Sequence, residues 1–244
     1  MRSSFPYAML ASSILTDMSL TVTQSLYLEN FAAITVVKCN DDAVSMHHLQ
    51  PLLDTALVDR VLGVSATFGQ NCQLSSIAFS TLSRALVVNI SERHTSPAVN
   101  KRIARNRTLI QDRLLLNPDF RKYAFWMDQI AVALFQDLSI RIRDAVDMMS
   151  VSTTDNRHSL QALMNTMGGE TVLDKKNVQS LFFNTELSTM DTTARALKAW
   201  AAYRAATLPH MSSRFASLPR IDTEAFPRTV RCFARLSVAF LTRH

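Results

Sequence analysis

Three apolar runs between residues 61 and 90, VLGVSATFG, QLSSIAFS and RALVVN, restrict what this chain can fold into more than any other feature. Each has strand length, carries β-branched or aromatic residues, and is separated from the next by a few polar positions. Consecutive short strands at that spacing predict an antiparallel meander over about residues 61–67, 73–80 and 84–90. Ahead of them, ITVVKCN (34–40) is short and β-branched and reads as another strand. The intervening DDAVSMHHLQPLLDTALVD places Val44, Leu49, Leu52, Leu53 and Leu57 at helical spacing, with Pro51 leaving a kink or a late start open.

Downstream the pattern changes. SPAVNKRIARNRTLIQDRLLLNP predicts a helix opened by Ser96, with Pro97 in its first turn, and closed before Pro118. DFRKYAF is a candidate short parallel strand, and apolar residues then recur at three- and four-residue spacing near 127–138, 158–168, 190–207 and 225–242. Strands first and helices later, with an early helix between strands, predict a mixed α/β domain around one sheet.

Composition narrows the class. Hydrophobic residues at 48% and charged residues at 19% argue against global disorder, and 4 glycines with 7 prolines remove collagen-like and linker-rich architectures. No run of about 18 apolar residues is present, so no membrane-spanning helix and no membrane partner are expected. Cys39, Cys72 and Cys232 are far apart and lack metal-site or redox spacing, which points to a reducing compartment, cytoplasmic or nuclear. The opening MRSSFPYAMLASSILT is a poor signal peptide and reads as an arm or a partner-docking helix. A formal charge of +6 favours anionic partners without establishing them.

Several local patterns, in order over residues 32–210, resemble the DEDD family of 3′–5′ exonucleases, in its ribonuclease D-like branch with a ribonuclease H-like fold. In VLGVSATFG, Ser65 and Thr67 fall where the family carries Asp-x-Glu. KYAFWMD resembles the second motif, with Lys122 opening it and Asp128 at the carboxylate position. In RIRDAVDMM, Asp147 stands at the Asp of an Asp-Thr pair and Met148 replaces the Thr. LDKKNVQSLFF keeps Leu173, Asp174, Lys175 and Ser180, while Leu181 and Phe182 replace Asp-Trp. WAAYRAATL resembles the Tyr-Ala-Ala-x-Asp-Ala motif, with Trp200 for the tyrosine and Arg204 for the last metal-binding Asp.

The resemblance implies a mixed sheet, antiparallel meander plus parallel strands, flanked by helices. Residues 1–31 would be an N-terminal extension, 32–210 the exonuclease-like domain, and 211–244 a linker with a basic amphipathic helix bearing Arg228, Arg231, Arg235 and Arg243. It also implies a dismantled site. The family's phosphodiester hydrolysis uses two divalent ions held by four carboxylates, and such hard ions need anionic oxygen ligands. Ser65 and Thr67 offer neutral hydroxyls, Arg204 brings a cation, Trp200 has no phenol oxygen, and Asp128 alone survives. No catalytic residue, metal or cofactor is therefore expected. An ion pair between Arg204 and Asp128 is expected in the metals' place, the alternative being an outward Arg204 with Asp128 capping its own helix.

Degenerate members of this family, Exuperantia-like proteins among them, suggest an RNA-associated adaptor, with a homodimer or other protein partner. Candidate nucleic-acid contacts are Lys101, Arg102, Arg105, Arg107, Lys122 and Arg204, with Phe125, Trp126 and Trp200 as stacking groups if exposed. A solvated helix face is the plainer account of the basic run at 101–113, and a buried core the plainer account of the aromatics. Arg141 and Arg143 read as an edge or turn, His47, His48 and His158 as surface or capping residues, and Met148, Met149, Met164 and Met167 as core filling. Two alternatives stay open: a protein-interaction module with no nucleic-acid binding, and a residual nuclease with ligands drawn from Asp144, Asp147 or Asp174.

Overall fold

The computed structural model describes residues 18–91, 94–152, 156–184 and 191–226. Its strands are β1 (Met18–Val22), β2 (Ile34–Asn40), β3 (Val61–Phe68), β4 (Leu74–Ser80), β5 (Arg84–Asn89), β6 (Arg121–Ala124) and β7 (Ala145–Asp147). They form one sheet in the order β1-β2-β5-β4-β3-β6-β7. The expected meander is β3-β4-β5, antiparallel throughout. Strand β6 joins parallel to β3, β7 parallel to β6, and β2 parallel to β5. This is the mixed sheet, antiparallel meander plus parallel strands, that the resemblance implied.

Helices cover both faces, so the central strands are apolar on both sides and read as nearly continuous hydrophobic runs. On one face lie α1 (Met46–Asp59), α2 (Pro97–Ile110) and α3 (Met127–Leu138), packed on Leu62, Val64, Phe79, Leu86 and Val88. On the other lie α4 (Leu160–Thr166), α5 (Lys175–Phe183), α6 (Thr192–Thr207) and α7 (Pro209–Ala216). Side chains alternate along a strand, so Val61, Gly63, Ser65 and Thr67 all point toward α6.

That face is built from small residues. Gly63, Ala78 and Ala85 meet a helix whose buried positions include Ala194, Ala196, Ala199, Ala201, Ala202, Ala205 and Ala206. The helix is apolar around most of its circumference, which is the pattern of an interior helix rather than a surface one.

Several elements differ from the sequence expectation. Strand β1 lies within the segment set apart as an N-terminal extension and pairs antiparallel with β2. Asp41 and Asp42 are not helical; α1 starts after Ser45, whose N–H donates to His48 Nδ1 at 3.0 Å. Pro51 sits early in α1, where its missing N–H costs one intrahelical bond. Strand β7 is three residues long, too short to be read from periodicity, and α5 and α7 were not expected. Residues beyond 210 continue the domain, because Ile221 exchanges backbone hydrogen bonds with Ala145 and covers the β7 edge. The expected arm at 1–17 and the basic segment at 227–244 lie outside the described residues.

A Cβ placed on Gly63 would stand 2.0 Å from the Ala199 carbonyl oxygen and 2.7 Å from the Tyr203 nitrogen, both backbone atoms. Neither can turn away as a flexible side chain would. Gly63→Ala is therefore expected to lower unfolding free energy by about 3 kcal/mol, the upper part of the usual overpacking range. Urea unfolding followed by circular dichroism checks it, with Gly69→Ala, whose Cβ would meet nothing closer than 3.8 Å, as the control.

Candidate nucleic-acid cleft at the carboxyl end of strand β3

Helix α6 crosses β3 with its sequence running the opposite way. Ser65 Oγ donates to the Arg195 carbonyl at 2.9 Å, whereas Gly63, nearer the strand's start, faces Ala199 and Tyr203. The residues that share the carboxyl end of β3 with Ser65 and Thr67 therefore belong to the first turns of α6. There the helix carries Arg195 and, three residues on, Lys198. Arg195 is half-buried and donates to Asn89 Oδ1 at 3.0 Å, and Asn89 in turn donates to Asn40 Oδ1 at 3.1 Å. The Lys198 ammonium lies 5.7 Å from the Phe182 ring centroid. Burial lowers the proton affinity of both groups, opposed at Arg195 by Asp191.

This direction of packing corrects the reading of Arg204. Nine residues separate it from Arg195, about 13 Å along a helix axis, so it stands at the far end of β3. Its guanidinium lies 4.5 Å from the Phe31 ring centroid and 6.0 Å from that of Tyr27, and it pairs with Glu29 at 3.4 Å. The expected Arg204–Asp128 ion pair does not form. Asp128 is exposed, and its carboxylate accepts the neighbouring Gln129 N–H at 2.8 Å. Arg204 is thereby removed from the nucleic-acid candidates.

Trp200 is fully buried, its Nε1 donating to the Leu82 carbonyl at 2.9 Å and its ring edge-to-face with Tyr27 and Phe31. Phe125 is buried as well. Of the three aromatics weighed as stacking groups, only Trp126 retains exposure. It caps the start of α3 with φ 59° and ψ 45°, a left-handed conformation that costs a bulky residue on the order of 1–2 kcal/mol. Its indole stacks on exposed His158 with centroids 5.8 Å apart and planes 8° from parallel, and meets Phe182 edge-on at 6.4 Å. Its Nε1 is buried without an acceptor among the described residues.

The donor set at this end of the sheet does not fit the two divalent ions that the resemblance implies. Two neutral hydroxyls and two cations stand near β3, and Asp128 points to solvent. The other carboxylates considered as ligands are engaged elsewhere. Asp147 accepts from the Met127 and Met149 N–H groups and from Ser150, and pairs with Arg157. Asp144 lies between Arg121 and Arg220, and Asp174 caps α5. Among the described residues no group of three or more His, Cys, Asp or Glu is placed to hold a metal.

The basic residues of α2 divide into two sets. Arg107 pairs with Asp41, a fully buried carboxylate, at 2.6 Å and also donates to the Ser91 carbonyl at 3.1 Å. Arg102 pairs with Asp42 at 2.7 Å. Arg107 holds the loop after β2 through the buried Asp41, whereas Lys101, Arg102 and Arg105 are all exposed on the same helix, Arg102 in a surface ion pair. Lys122 is a further correction: it has no solvent exposure, donates to the Asn117 carbonyl and lies over the Phe120 ring. Arg195 and Lys198 escaped sequence reasoning because an alanine-rich helix gives no periodic contrast from which to read its register. A cavity of about 650 Å³ lies at the opposite end of β3, between Asp59, Arg60, Asp119, Arg121 and Asp144, the last being the one expected ligand residue in its lining.

No family model matches the chain, and no curated protein sequence matches it. Solved structures similar to it are exonuclease domains of the family that the sequence resembles. The EXD2 exonuclease domain is 21% identical over 54% of this chain and 67% of that one, with a TM-score of 0.34. The Aedes aegypti Nibbler EXO domain is 14% identical over 71% and 91%, with a TM-score of 0.43. Escherichia coli RNase D, an exoribonuclease involved in structured RNA processing, is 13% identical over 69%, with a TM-score of 0.42; this chain spans 42% of its length.

Two outcomes follow from the charge placement. Arg107→Ala leaves Asp41 buried and uncompensated and is expected to cost about 3 kcal/mol, while Lys101→Ala and Arg105→Ala stay within about 0.5 kcal/mol; urea unfolding of the three variants checks this. Burial pulls the Lys122 ammonium down from 10.5 to about 8, opposed by Asp144. Between those values the unfolded chain holds a proton that the folded chain has released, so stability rises with pH. Relative to Lys122→Met, the native protein is expected to gain on the order of 3 kcal/mol across that window, read as the difference between two pH series of urea unfolding.

Proposed function

We propose that this chain is a catalytically inactive exonuclease-like domain that binds single-stranded nucleic acid, RNA foremost, as an adaptor or scaffold in RNA metabolism or silencing. The observation that carries this reading is the replacement at the carboxyl end of β3. Ser65 and Thr67 stand where the resembled family has carboxylates, and Arg195 and Lys198 stand on the helix beside them. A divalent ion would be repelled by those cations, whereas a phosphodiester would be attracted. The exposed Lys101 and Arg105 add positive charge on α2. Assembly with a second copy or another protein belongs to the same adaptor reading, as does a reducing cytoplasmic or nuclear setting. Among the described residues no helix is long and apolar enough to cross a membrane.

Fluorescence anisotropy of short labelled RNA and DNA strands over a salt series, with magnesium or manganese cleavage assays on the same samples, tests it. Binding that weakens with salt, without cleavage, is the expected result. Arg195→Gln and Lys198→Gln should each weaken binding and reduce the salt slope by about 1 if each meets one phosphate. Cleavage lost in Asp128→Ala would overturn the inactive reading. Absence of binding at low salt would overturn the nucleic-acid reading and favour a protein-interaction module.

A further inference from the structure

We infer that the Trp126–His158 stack is a nucleobase platform at the mouth of this cleft; the inference rests on the nucleic-acid reading above and deepens it. Trp126 follows the carboxyl end of β6, and His158 lies in the loop that leads from β7 to α4. Ligands of open α/β sheets are held in the crevice outside those strand ends. Two unfavourable features coincide at Trp126: a left-handed backbone and a buried indole N–H without an acceptor among the described residues. Such features persist where the surrounding structure holds a residue in place for a purpose other than packing.

The cluster gives that purpose a chemistry. The His158 ring lies parallel to the indole and is itself exposed, and among the described residues no second ring packs on it. Behind the stack, Phe182 meets both Trp126 and Phe125 edge-on, and the Lys198 ammonium lies over Phe182. A flat π-surface and a cation are thus joined by one continuous set of rings. A ligand that complements both presents an unpaired aromatic ring and an adjacent anion, as a single-stranded nucleotide does. A base would lie on the exposed His158 ring. Stacking accepts any base, so the platform selects for unpaired strands rather than for sequence.

The chain has two tryptophans, and Trp200 is fully buried, so a fluorescence change on binding reports Trp126. Titration of the full chain with labelled adenosine-rich and uridine-rich RNA, reading indole quenching and anisotropy together, is the test. The platform predicts quenching that saturates with the anisotropy and vanishes in Trp126→Phe. It also predicts that His158→Ala weakens binding about tenfold, the scale of one lost base stack, while His158→Tyr, which keeps a flat ring, retains most of it. The salt slope should stay unchanged in His158→Ala, because no phosphate contact is lost. His158 is exposed, so its variants keep the test decisive even where a Trp126 variant fails to fold. Anisotropy without quenching, or wild-type affinity in His158→Ala, overturns the platform and leaves nucleic-acid binding intact. No anisotropy change with any strand overturns both.

Discussion

The close approach of α6 to β3 at Gly63 is the contact on which the rest of the molecule depends. A helix backbone can lie that near a sheet only where the sheet residue has no Cβ and the helix presents methyl groups. Gly63 provides the first condition and the alanines of α6 the second, with the small Ala78 and Ala85 on the neighbouring strands. Large side chains are displaced to the margins of this contact. Trp200 lies against the β4–β5 turn, where its indole reaches the Leu82 carbonyl, and Tyr27 and Phe31 close over it. The segment after β1 is thus bound to the domain through the same helix, with Tyr27 donating to the Met167 carbonyl at 3.2 Å.

Several of the described carboxylates hold elements together. Asp41 anchors α2 through Arg107, Asp147 ties the start of α3 to the turn after β7, and Asp144 draws Arg121 and Arg220 together. Among the described residues each buried or half-buried carboxylate has a donor, which is the condition under which such a group is tolerated at all. A basic sequence run is therefore a poor guide to a binding face. One of the four candidates on α2, Arg107, is committed to a buried carboxylate, and Lys122 is buried outright.

Legibility varied with local contrast. The meander was readable because each strand is a short apolar run with β-branched residues, set off by polar connections. Asp128 was read as a possible partner of Arg204, yet the two lie on elements whose separation no local pattern encodes. The register of α6 was the deepest obscurity. A motif match at Trp200 and Arg204 placed the last carboxylate position nine residues from the residue that meets Ser65. Along an alanine-rich helix, every register offers nearly the same apolar face, so only the fit of backbone to backbone selects one.

By itself the sequence determined the meander, the mixed α/β class, and the absence of acids at residues 65 and 67, since residue identity and the spacing of apolar runs are local properties. Tertiary structure alone decided that Ser65 meets α6 at Arg195, that Arg204 serves Phe31 and Glu29, and that Trp126 rather than Trp200 keeps an exposed edge. Each of those outcomes depends on how far α6 slides along β3 before Gly63 meets Ala199. That distance is fixed by van der Waals contact between segments about 136 residues apart, and no stretch of either segment contains it.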